Sequence, residues 1–562
     1  MENKRESIVK GIVSLLISQI FIKVIGLIYK LYLTNKDGFG DSGNAIYSSG
    51  FQIYALLLTF SSTGVPNAIS ILVSKRLAVG DNRGAHKIFK IAFVTFAIIG
   101  IIGTILLFLG AKTISNEWIQ IPEAEYSLIA LSPSIFFVSI TSVIRGYFNG
   151  RQSFSVAAKS QSLEQIFKTI FTIILVEAVV LIGKKNTTLM AAAANLATTT
   201  ATISSFIYIY LYYKSKRQEI GQEINQTVNY TPTRIRKTIK TILTVAMPIS
   251  ISSIIASFNK NIDSFTIVRF LKRITTEEEA KIQYGILSGK IDSLCSLAFS
   301  LNVAFVTTMV PSISKSMSKG NKEEVSKKAS QFILISMLIA MPISAIMFMY
   351  PGQIIGLLFP NAQSGAIYLK FSSITIVFMI LAQTINGILQ GIGKVNIPPI
   401  AFGIGMIAKF ICNIVLIPNP KFGIFGAIIG NIICNIVAFL IGFIILIKSL
   451  NLKINIKKII IKPILVTIIM CLISNILYNK LQCIKMGNMA IIVLLTISII
   501  IYLLGIIIFK IFSLEELEIL KKIWKIYWNK EGFYRRLANK LNKVGYRMQQ
   551  NSIKSNYINR YF

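Results

Sequence analysis

The chain has 562 residues, of which 53% are hydrophobic and only 15% are charged. Soluble proteins carry about 25% charged residues, so this composition excludes an ordinary soluble protein and indicates a membrane protein. Nucleic-acid-binding proteins can share its net charge of +36. Here, however, the basic residues lie mostly in short segments between apolar runs, as the positive-inside rule describes. We therefore predict no nucleic-acid partner.

Apolar runs of about 20 residues, long enough to cross a bilayer, recur along the whole chain. Because a backbone in lipid must satisfy its own hydrogen bonds, and because these runs are too long for barrel strands, the sequence predicts an all-α polytopic membrane protein. We predict about 14 transmembrane helices, near residues 11–33, 46–72, 88–110, 126–144, 160–183, 189–212, 241–269, 284–310, 330–350, 366–389, 397–417, 424–447, 459–478 and 488–511. When the N-terminus is placed inside, most Lys and Arg residues lie in the inside loops and tails, which predicts a cytoplasmic membrane protein with both termini cytoplasmic.

The cysteines, the single histidine and the absence of known catalytic motifs disfavour disulfides, metal centres and enzyme active sites. The five cysteines form no CxxC pair, and His86 is the single histidine, so we predict neither disulfides nor a metal centre. The sequence has no P-loop, HExxH or GxSxG motif, and we predict no catalytic residues and no cofactor. The N-terminus lacks a signal-peptide cleavage site, so its apolar run is expected to be a retained first helix.

The two halves of the chain share motifs in the same order. The stretch VPNAIS (65–70) ends the second predicted span and VPSIS (310–314) ends the eighth, and each precedes a basic loop. Further matches stand at one common offset: Gly146 with Gly387, Gly150 with Gly391, and Lys168 with Lys409. We predict a parallel repeat of two six-helix lobes, related by an axis along the membrane normal.

Pro66 and Pro311 each interrupt an apolar run in which a soluble helix would end. Membrane helices tolerate proline, and broken helices often line a transport path, so we predict a hinge at each proline, with a simple packing kink as the alternative. The predicted organisation is an N-lobe (1–212), a basic cytoplasmic linker (213–237), a C-lobe (238–447), two C-terminal helices (448–511) and a basic cytoplasmic tail (512–562).

Ionisable residues inside the predicted spans are the main functional signal. Each costs about 2.5–3.5 kcal/mol at the centre of a span, and such residues usually face a cavity. The candidate substrate-binding residues are Lys23, Lys30, Glu164, Lys168, Lys260, Asp263, Lys290 and Lys409. They predict a central cationic cavity for an anionic ligand. The alternatives are lysines that snorkel to an interface and a structural ion pair between Glu164 and Lys168, whose i,i+4 spacing allows one.

A set of stretches spread over spans one to eleven resembles one transporter family. They are KVIGLIYKLYL (23–33), STGVPNAIS (62–70), IRGYFNG (144–150), SQSLEQIFKTI (160–170), YGILSGKIDSLCSLAFSL (284–301) and LQGIGKVNIPP (389–399). Together they resemble the lipid II flippase and stage V sporulation protein B branch of the MATE-like polysaccharide exporter superfamily. The predicted number of spans is similar to that of this family.

The resemblance implies two six-helix lobes, two further helices, and alternating access that moves a lipid-linked glycan across the cytoplasmic membrane. It implies a flippase rather than an enzyme, acting on an undecaprenyl-pyrophosphate-linked peptidoglycan precursor in growth or spore-cortex formation. The implied partners are the lipid-linked glycan and membrane lipids, and a coupling ion is left open. Family members carry arginines in span one, where this chain has Lys23 and Lys30. Lysine offers phosphate a point charge instead of a bidentate fork.

Other functions stay open at this point. Export of another lipid-linked polysaccharide unit is the nearest alternative. A drug or cation antiporter of the same fold would favour acidic residues in its cavity, whereas lysines outnumber acids in the central spans. A membrane-embedded glycosyltransferase would need acidic catalytic residues at a membrane face, which we do not find. A scaffolding protein would leave the intramembrane lysines unexplained.

Overall fold

The computed structural model describes residues 8–59, 64–182, 186–227, 230, 232–318, 320–451, 455–483 and 488–511, and the predicted basic tail lies outside these ranges. The helices are α1 (Ile8–Asn35), α2 (Gly40–Thr59), α3 (Val65–Ala78), α4 (Asn82–Thr113), α5 (Ala124–Gly150), α6 (Phe154–Leu181), α7 (Thr187–Ser215), α8 (Arg217–Asn225), α9 (Ile235–Leu271), α10 (Glu277–Gly285), α11 (Asp292–Ser318), α12 (Lys322–Met349), α13 (Pro351–Leu358), α14 (Ala366–Gly391), α15 (Ile397–Leu416), α16 (Phe425–Leu450), α17 (Lys462–Cys483) and α18 (Asn488–Ile508). Short π-helical segments at 114–119, 286–291 and 457–461 extend some of them.

The all-helical prediction is confirmed for the described part of the chain, which contains no strand. Each predicted span coincides with a helix or a pair of helices. Eight helices of the described residues are long and apolar enough to cross a membrane by length and composition. Helix α6 falls outside that group because Lys159, Glu164, Lys168 and Glu177 interrupt its apolar run. The number fourteen therefore stays a prediction.

Each of the two prolines lies in a helix. Helix α2 ends at Thr59 and α3 begins at Val65, with Pro66 as its second residue. Residues 60–63 lie outside the described residues, so the span over 46–72 stays a prediction at this point. Pro311 lies inside the continuous helix α11. The hinge at each proline likewise stays a prediction.

The helices pair in the same way in the two halves. In the first half α1 packs on α6, and α5 packs on α3, α4 and α7. In the second half α9 packs on α15, and α14 packs on α11, α12 and α16. The repeated glycines lie at these contacts, because a Cβ at Gly146 would come within 2.7 Å of the Pro66 carbonyl oxygen and one at Gly391 within 2.7 Å of Ile313. The repeated motifs thus mark the closest approach between corresponding helices.

The apolar core is continuous at one end of the helix bundle and divided at the other. We call the end that carries residues 36–39 and 359–365 the outer end, following the predicted orientation. One cluster there joins both halves, with Phe39 and Ile119 beside Leu271 and Phe359. Towards the inner end there are two clusters, one around α3, α4 and α5 and one around α11, α12 and α14. The first of these includes Ile242 near the start of α9, and α9 packs on α3 and α4, so the halves are in contact at this end as well.

The predicted linker is ordered where the structure describes it. Helix α8 places Ile220 in the inner cluster of the first half, and Glu223 pairs with Arg151 at 2.7 Å. Asn82 donates to the Glu223 carbonyl at 3.0 Å, and Lys87 donates to the Thr233 carbonyl at 2.7 Å. The linker therefore folds back onto the inner end of the first half before α9 begins.

We expect the glycine contact in the first half to tolerate no side chain. Gly146→Ala should destabilise the protein by about 1–3 kcal/mol, because its Cβ would meet the backbone of Pro66. Gly403→Ala is the matched control, since no atom lies within 4 Å of a Cβ at that position of α15 and alanine favours a helix. Thermal unfolding in detergent compares them, and an equal effect of both changes would contradict the packing argument.

The predicted orientation is tested by labelling single cysteines in a cysteine-free background. Lys322→Cys, at the exposed start of α12, should react with a membrane-impermeant thiol reagent only after the cells are opened, because this end is predicted to be cytoplasmic. Glu278→Cys, on exposed α10, should react in intact cells. The reverse pattern would invert the topology.

Candidate substrate-binding cavity

Lys30 lies in the interior without a contacting carboxylate, and Asp292 is the acid whose charge acts on it. Its side chain is 7% exposed, and its Nζ lies 4.7 Å from the centre of the Tyr47 ring. Its hydrogen bond to Ser48 Oγ is long, at 3.4 Å. No acidic side chain forms an ion pair with Lys30 among the described residues. A buried ammonium with these partners is poorly compensated for the water it has lost.

Lys168 faces the same tyrosine from α6. Its side chain is 5% exposed, and its Nζ lies 4.2 Å from the ring centre of Phe51, 5.0 Å from Tyr29 and 6.0 Å from Tyr47. Tyr47 and Phe51, one turn apart on α2, stack with ring centres 5.9 Å apart. These rings form a box around the ammonium, and cation–π contacts offset part of its desolvation. The described ion pairs include none to Lys168.

Lys23 and Lys260 complete a cationic region with these two residues. Both side chains are exposed, and the charge of Lys260 acts on Lys23 and on Lys30. The charge of Lys168 also acts on Lys30. Because α1 rises about 1.5 Å per residue, Lys23 lies about two turns nearer the inner end than Lys30. The structure thus brings together four of the predicted residues from α1, α6 and α9.

Glu164 does not pair with Lys168, so the alternative of a structural i,i+4 ion pair between them is excluded. Its carboxylate accepts from Arg145 of α5 at 2.7 Å, and Arg145 also donates to Ser160 and Ser205. The guanidinium outcompetes the lysine because it supplies a planar fork of donors that reaches two helices, α6 and α7. Lys168 therefore contacts only the aromatic rings of the box among the interactions described.

Asp263 does not pair with Lys260 either. It accepts from Lys409 of α15 at 2.7 Å and from Asn413 and Asn431 at 3.2 and 3.4 Å. Lys409, which is completely buried, also donates to the carbonyl and the side-chain oxygen of Asn259. Asp263 and Lys409 therefore form a closed pair between α9 and α15, and Lys260 keeps its charge exposed.

Lys290 joins the two halves at the outer end instead of facing the cationic region. Its fully buried ammonium lies 2.8 Å from Asp41 at the start of α2 and donates to the carbonyls of Ala362 and Ser364. Nearby, Asn361 donates to the Asn35 carbonyl at 2.8 Å, and Asn35 donates to the Leu358 carbonyl at 2.8 Å. We call Asn35, Asp41, Lys290, Asn361 and Ser364 the outer seal.

A more exposed ion-pair network supports the outer seal. Lys281 of α10 bridges Glu123 of the first half at 2.7 Å and Glu277 at 3.0 Å. The hydrogen bond from Lys281 lowers the pKa of Glu277. These pairs are partly exposed and contribute little individually, so the buried Lys290–Asp41 pair dominates the polar closure of the outer end.

Sequence reasoning missed residues whose importance depends on distant partners. Tyr47 and Phe51 lie in an apolar run, where an aromatic residue is usually core packing, and Asp41 precedes that run. Arg145 stands within the quoted IRGYFNG motif, directly after the predicted span 126–144, and a charge at the end of an apolar run was the signal that could have found it.

Two known protein families match this chain. The profile of the polysaccharide biosynthesis protein family matches residues 8–317, and that of the MatE family matches residues 289–415. The chain belongs to the polysaccharide biosynthesis protein family. This family assignment confirms the resemblance stated from the sequence.

Relatives of this family member agree with that assignment. The chain is 24% identical to lipid II flippase MurJ of Bacillus subtilis (strain 168), over 73% of this chain and 77% of that protein. It is 22% identical to stage V sporulation protein B of the same organism, over 76% and 80%. The solved structure of lipid II flippase MurJ in an inward closed conformation matches with a TM-score of 0.68 at 17% identity, over 89% of this chain and 99% of that one.

These comparisons establish the fold and the general class. The polysaccharide biosynthesis family member is a multi-pass membrane transporter, not an enzyme, and its all-helical fold is shared with flippases and MATE transporters. These sequence identities are too low to show which cargo the protein carries.

We expect Lys290→Met to open the outer end. Removing one partner of a buried ion pair costs about 3–5 kcal/mol, because Asp41 would keep an uncompensated charge. In a Ser48→Cys background, whose thiol lies between the seal and Lys30, the reaction with an impermeant reagent from outside should accelerate at least tenfold.

Lys272→Met is the matched control, because its ion pair with Glu277 is at the surface and contributes little. The double variant Asp41→Asn with Lys290→Met should close again, since it leaves no buried charge at the seal. Unchanged labelling in Lys290→Met would show that the seal does not depend on this pair.

Proposed function

We propose that the protein flips an undecaprenyl-pyrophosphate-linked peptidoglycan precursor across the cytoplasmic membrane by alternating access. The observation that carries the proposal is the pair of buried ammonium groups of Lys30 and Lys168, which share the Tyr47 ring and form no ion pair among the described residues. The charge of Asp292 acts on Lys30, but one carboxylate does not balance the four lysines of the cationic region. An excess of buried positive charge favours an anionic ligand, because the ligand supplies the missing compensation. A lipid-linked diphosphate carries that charge in the right environment.

The positions of the lysines suggest the order in which they meet the substrate. With the outer seal closed, the diphosphate would approach from the inner end, where the contacts of α9 with α3 and α4 would have to open. The exposed Lys23 and Lys260 would attract it first, and Lys30 and Lys168 would hold it deeper between the halves. Release to the outside would then require the Lys290–Asp41 pair to separate. Lysine point charges suit this task, since a carrier must also let its cargo go.

The names of the relatives support a lipid-linked cargo and favour the peptidoglycan precursor within that class. Another lipid-linked polysaccharide unit is the second candidate, since it would present the same diphosphate to the same lysines and the family description names polysaccharide biosynthesis. A cationic drug is disfavoured because Lys23, Lys30, Lys168 and Lys260 would repel it.

The proposal is tested by complementation of a strain depleted of its lipid II flippase. Lys23→Gln, Lys30→Gln, Lys168→Gln and Lys260→Gln should each abolish or strongly reduce growth, and Lys23→Arg should retain it. In purified protein, each glutamine variant should bind undecaprenyl pyrophosphate about tenfold more weakly, because a hydrogen bond to a charged group contributes about 1.5–3 kcal/mol.

Lys159→Gln provides the matched control, because Lys159 lies on the same helix as Lys168 but is exposed. Protein levels must be equal in all strains, since loss of folding would mimic loss of transport. Full complementation by all four glutamine variants would exclude the cationic region as the substrate site. If wild-type protein binds the diphosphate lipid but never complements, another lipid-linked glycan is the cargo.

A further inference from the structure

Glu164 lies beside the aromatic box of Lys168, although it does not pair with that lysine. The two residues are one turn apart on α6, a spacing at which Glu and Lys can form an ion pair. The charge of Glu164 acts on Tyr54, whose ring centre lies 5.8 Å from that of Phe51. Phe51 is in turn the ring nearest to the Lys168 ammonium. The carboxylate therefore borders the box, and a rotation of its side chain would bring it to the ammonium.

Arg145, near the end of α5, holds this carboxylate in a different direction. Its guanidinium donates to Glu164 at 2.7 Å, to Ser160 at 3.0 and 3.1 Å, and to Ser205 at 2.8 Å. The two serine hydroxyls lie 2.9 Å apart across the contact between α6 and α7. Because a guanidinium is always charged and presents its donors in a rigid fork, these acceptors fix it in one orientation. Glu164 is thus kept on the Arg145 side of α6.

The direction of the Glu164 carboxylate decides whether the Lys168 ammonium is free to bind an anion. Opposite charges in contact attract strongly in the protein interior, and a glutamate on the same helix is always close by. A carboxylate paired with Lys168 would compensate the ammonium internally, so that a diphosphate would have to displace it. Arg145 prevents this competition by offering the carboxylate a stronger partner.

We propose that Arg145 is a positioning residue for cargo binding. It holds Glu164 so that the Lys168 ammonium remains available to the anionic group of the cargo, and it does not touch the cargo itself. This inference rests on the proposed function, because it takes the ammonium of Lys168 as part of the binding site. It extends that function to a residue of α5 and applies to any lipid-linked diphosphate.

The alternative is that the Arg145–Glu164 pair only fastens α5 to α6. Loss of such a pair would lower the stability of the protein, and removing the second charge as well would not restore cargo binding. The positioning role predicts the opposite, because binding then depends on whether Glu164 keeps its charge and not on whether the pair exists. The two explanations therefore differ in the effect of a second substitution.

The test measures binding of undecaprenyl pyrophosphate to the purified full chain in nanodiscs. Arg145→Gln should weaken binding about tenfold, as is expected for Lys168→Gln, because the released carboxylate neutralises the ammonium. Adding Glu164→Gln to Arg145→Gln should restore the affinity to nearly the wild-type value. Adding Lys168→Gln to Arg145→Gln should cause little further loss, because both changes remove the same ammonium from the site.

Arg151→Gln is the matched control, because Arg151 directly follows α5 and pairs with Glu223 at the same distance of 2.7 Å. This change releases a carboxylate on α8 instead of beside the aromatic box, so binding should be unchanged. Thermal unfolding of each variant shows whether the protein is folded at the temperature of the binding measurement.

Arg145→Lys replaces Arg145→Gln if the glutamine variant does not fold, because it keeps a buried cation. One ammonium cannot reproduce the fork that holds Glu164, Ser160 and Ser205. A smaller loss of binding is therefore expected, and Glu164→Gln should again reverse it.

The inference is overturned if the folded Arg145 variant binds as tightly as wild type, or if Glu164→Gln fails to restore its binding. An equal loss in Arg151→Gln, or failure of both Arg145 variants to fold, would also overturn it, because the pair would then be only structural. Weaker binding in Lys168→Gln without any loss in Arg145→Gln would refute this inference alone. No binding by wild type, or full binding by Lys168→Gln, would refute the proposed function as well.

Discussion

The cost of burying an ammonium group is the constraint on which this structure depends. A lysine whose ammonium group is removed from water inside a membrane needs an anion, an aromatic surface or a cavity. Lys290 and Lys409 have carboxylates, Asp41 and Asp263, and are completely buried. Lys30 and Lys168 are almost as buried, yet their described contacts are rings and a weak acceptor, and Asp292 acts on Lys30 without contacting it. This difference separates structural lysines from those available to a ligand.

The contacts between the halves differ at the two ends. At the outer end the Lys290–Asp41 pair and a shared apolar cluster hold the halves together, whereas at the inner end α9 alone brings a second-half residue, Ile242, into the cluster of the first half. The repeated glycines keep the helices of each half tightly packed, so each half can move as a body. A polar seal is suited to reversible closure because its groups regain water when it opens.

Much of the fold could be predicted from apolar runs alone, because lipid leaves the backbone few choices. The partners of the charged side chains could not be predicted in this way. Local spacing suggested Glu164 with Lys168, but the carboxylate is taken by Arg145 from another helix. Lys290 finds its partner 249 residues away. Such contacts depend on how the helices assemble, which the periodicity of one span does not reveal. The aromatic box of Lys168 could not be predicted for the same reason, because its rings come from two other helices.

The most direct test of this account is a cryo-electron microscopy structure of the full chain in nanodiscs with undecaprenyl pyrophosphate bound. The account predicts density for the diphosphate between the halves, in contact with the ammonium groups of Lys30 and Lys168, while the Lys290–Asp41 and Lys409–Asp263 pairs stay intact. A diphosphate bound elsewhere, with Lys30 and Lys168 still confined to the Tyr47 ring, would contradict the claim that these two lysines await an anionic cargo.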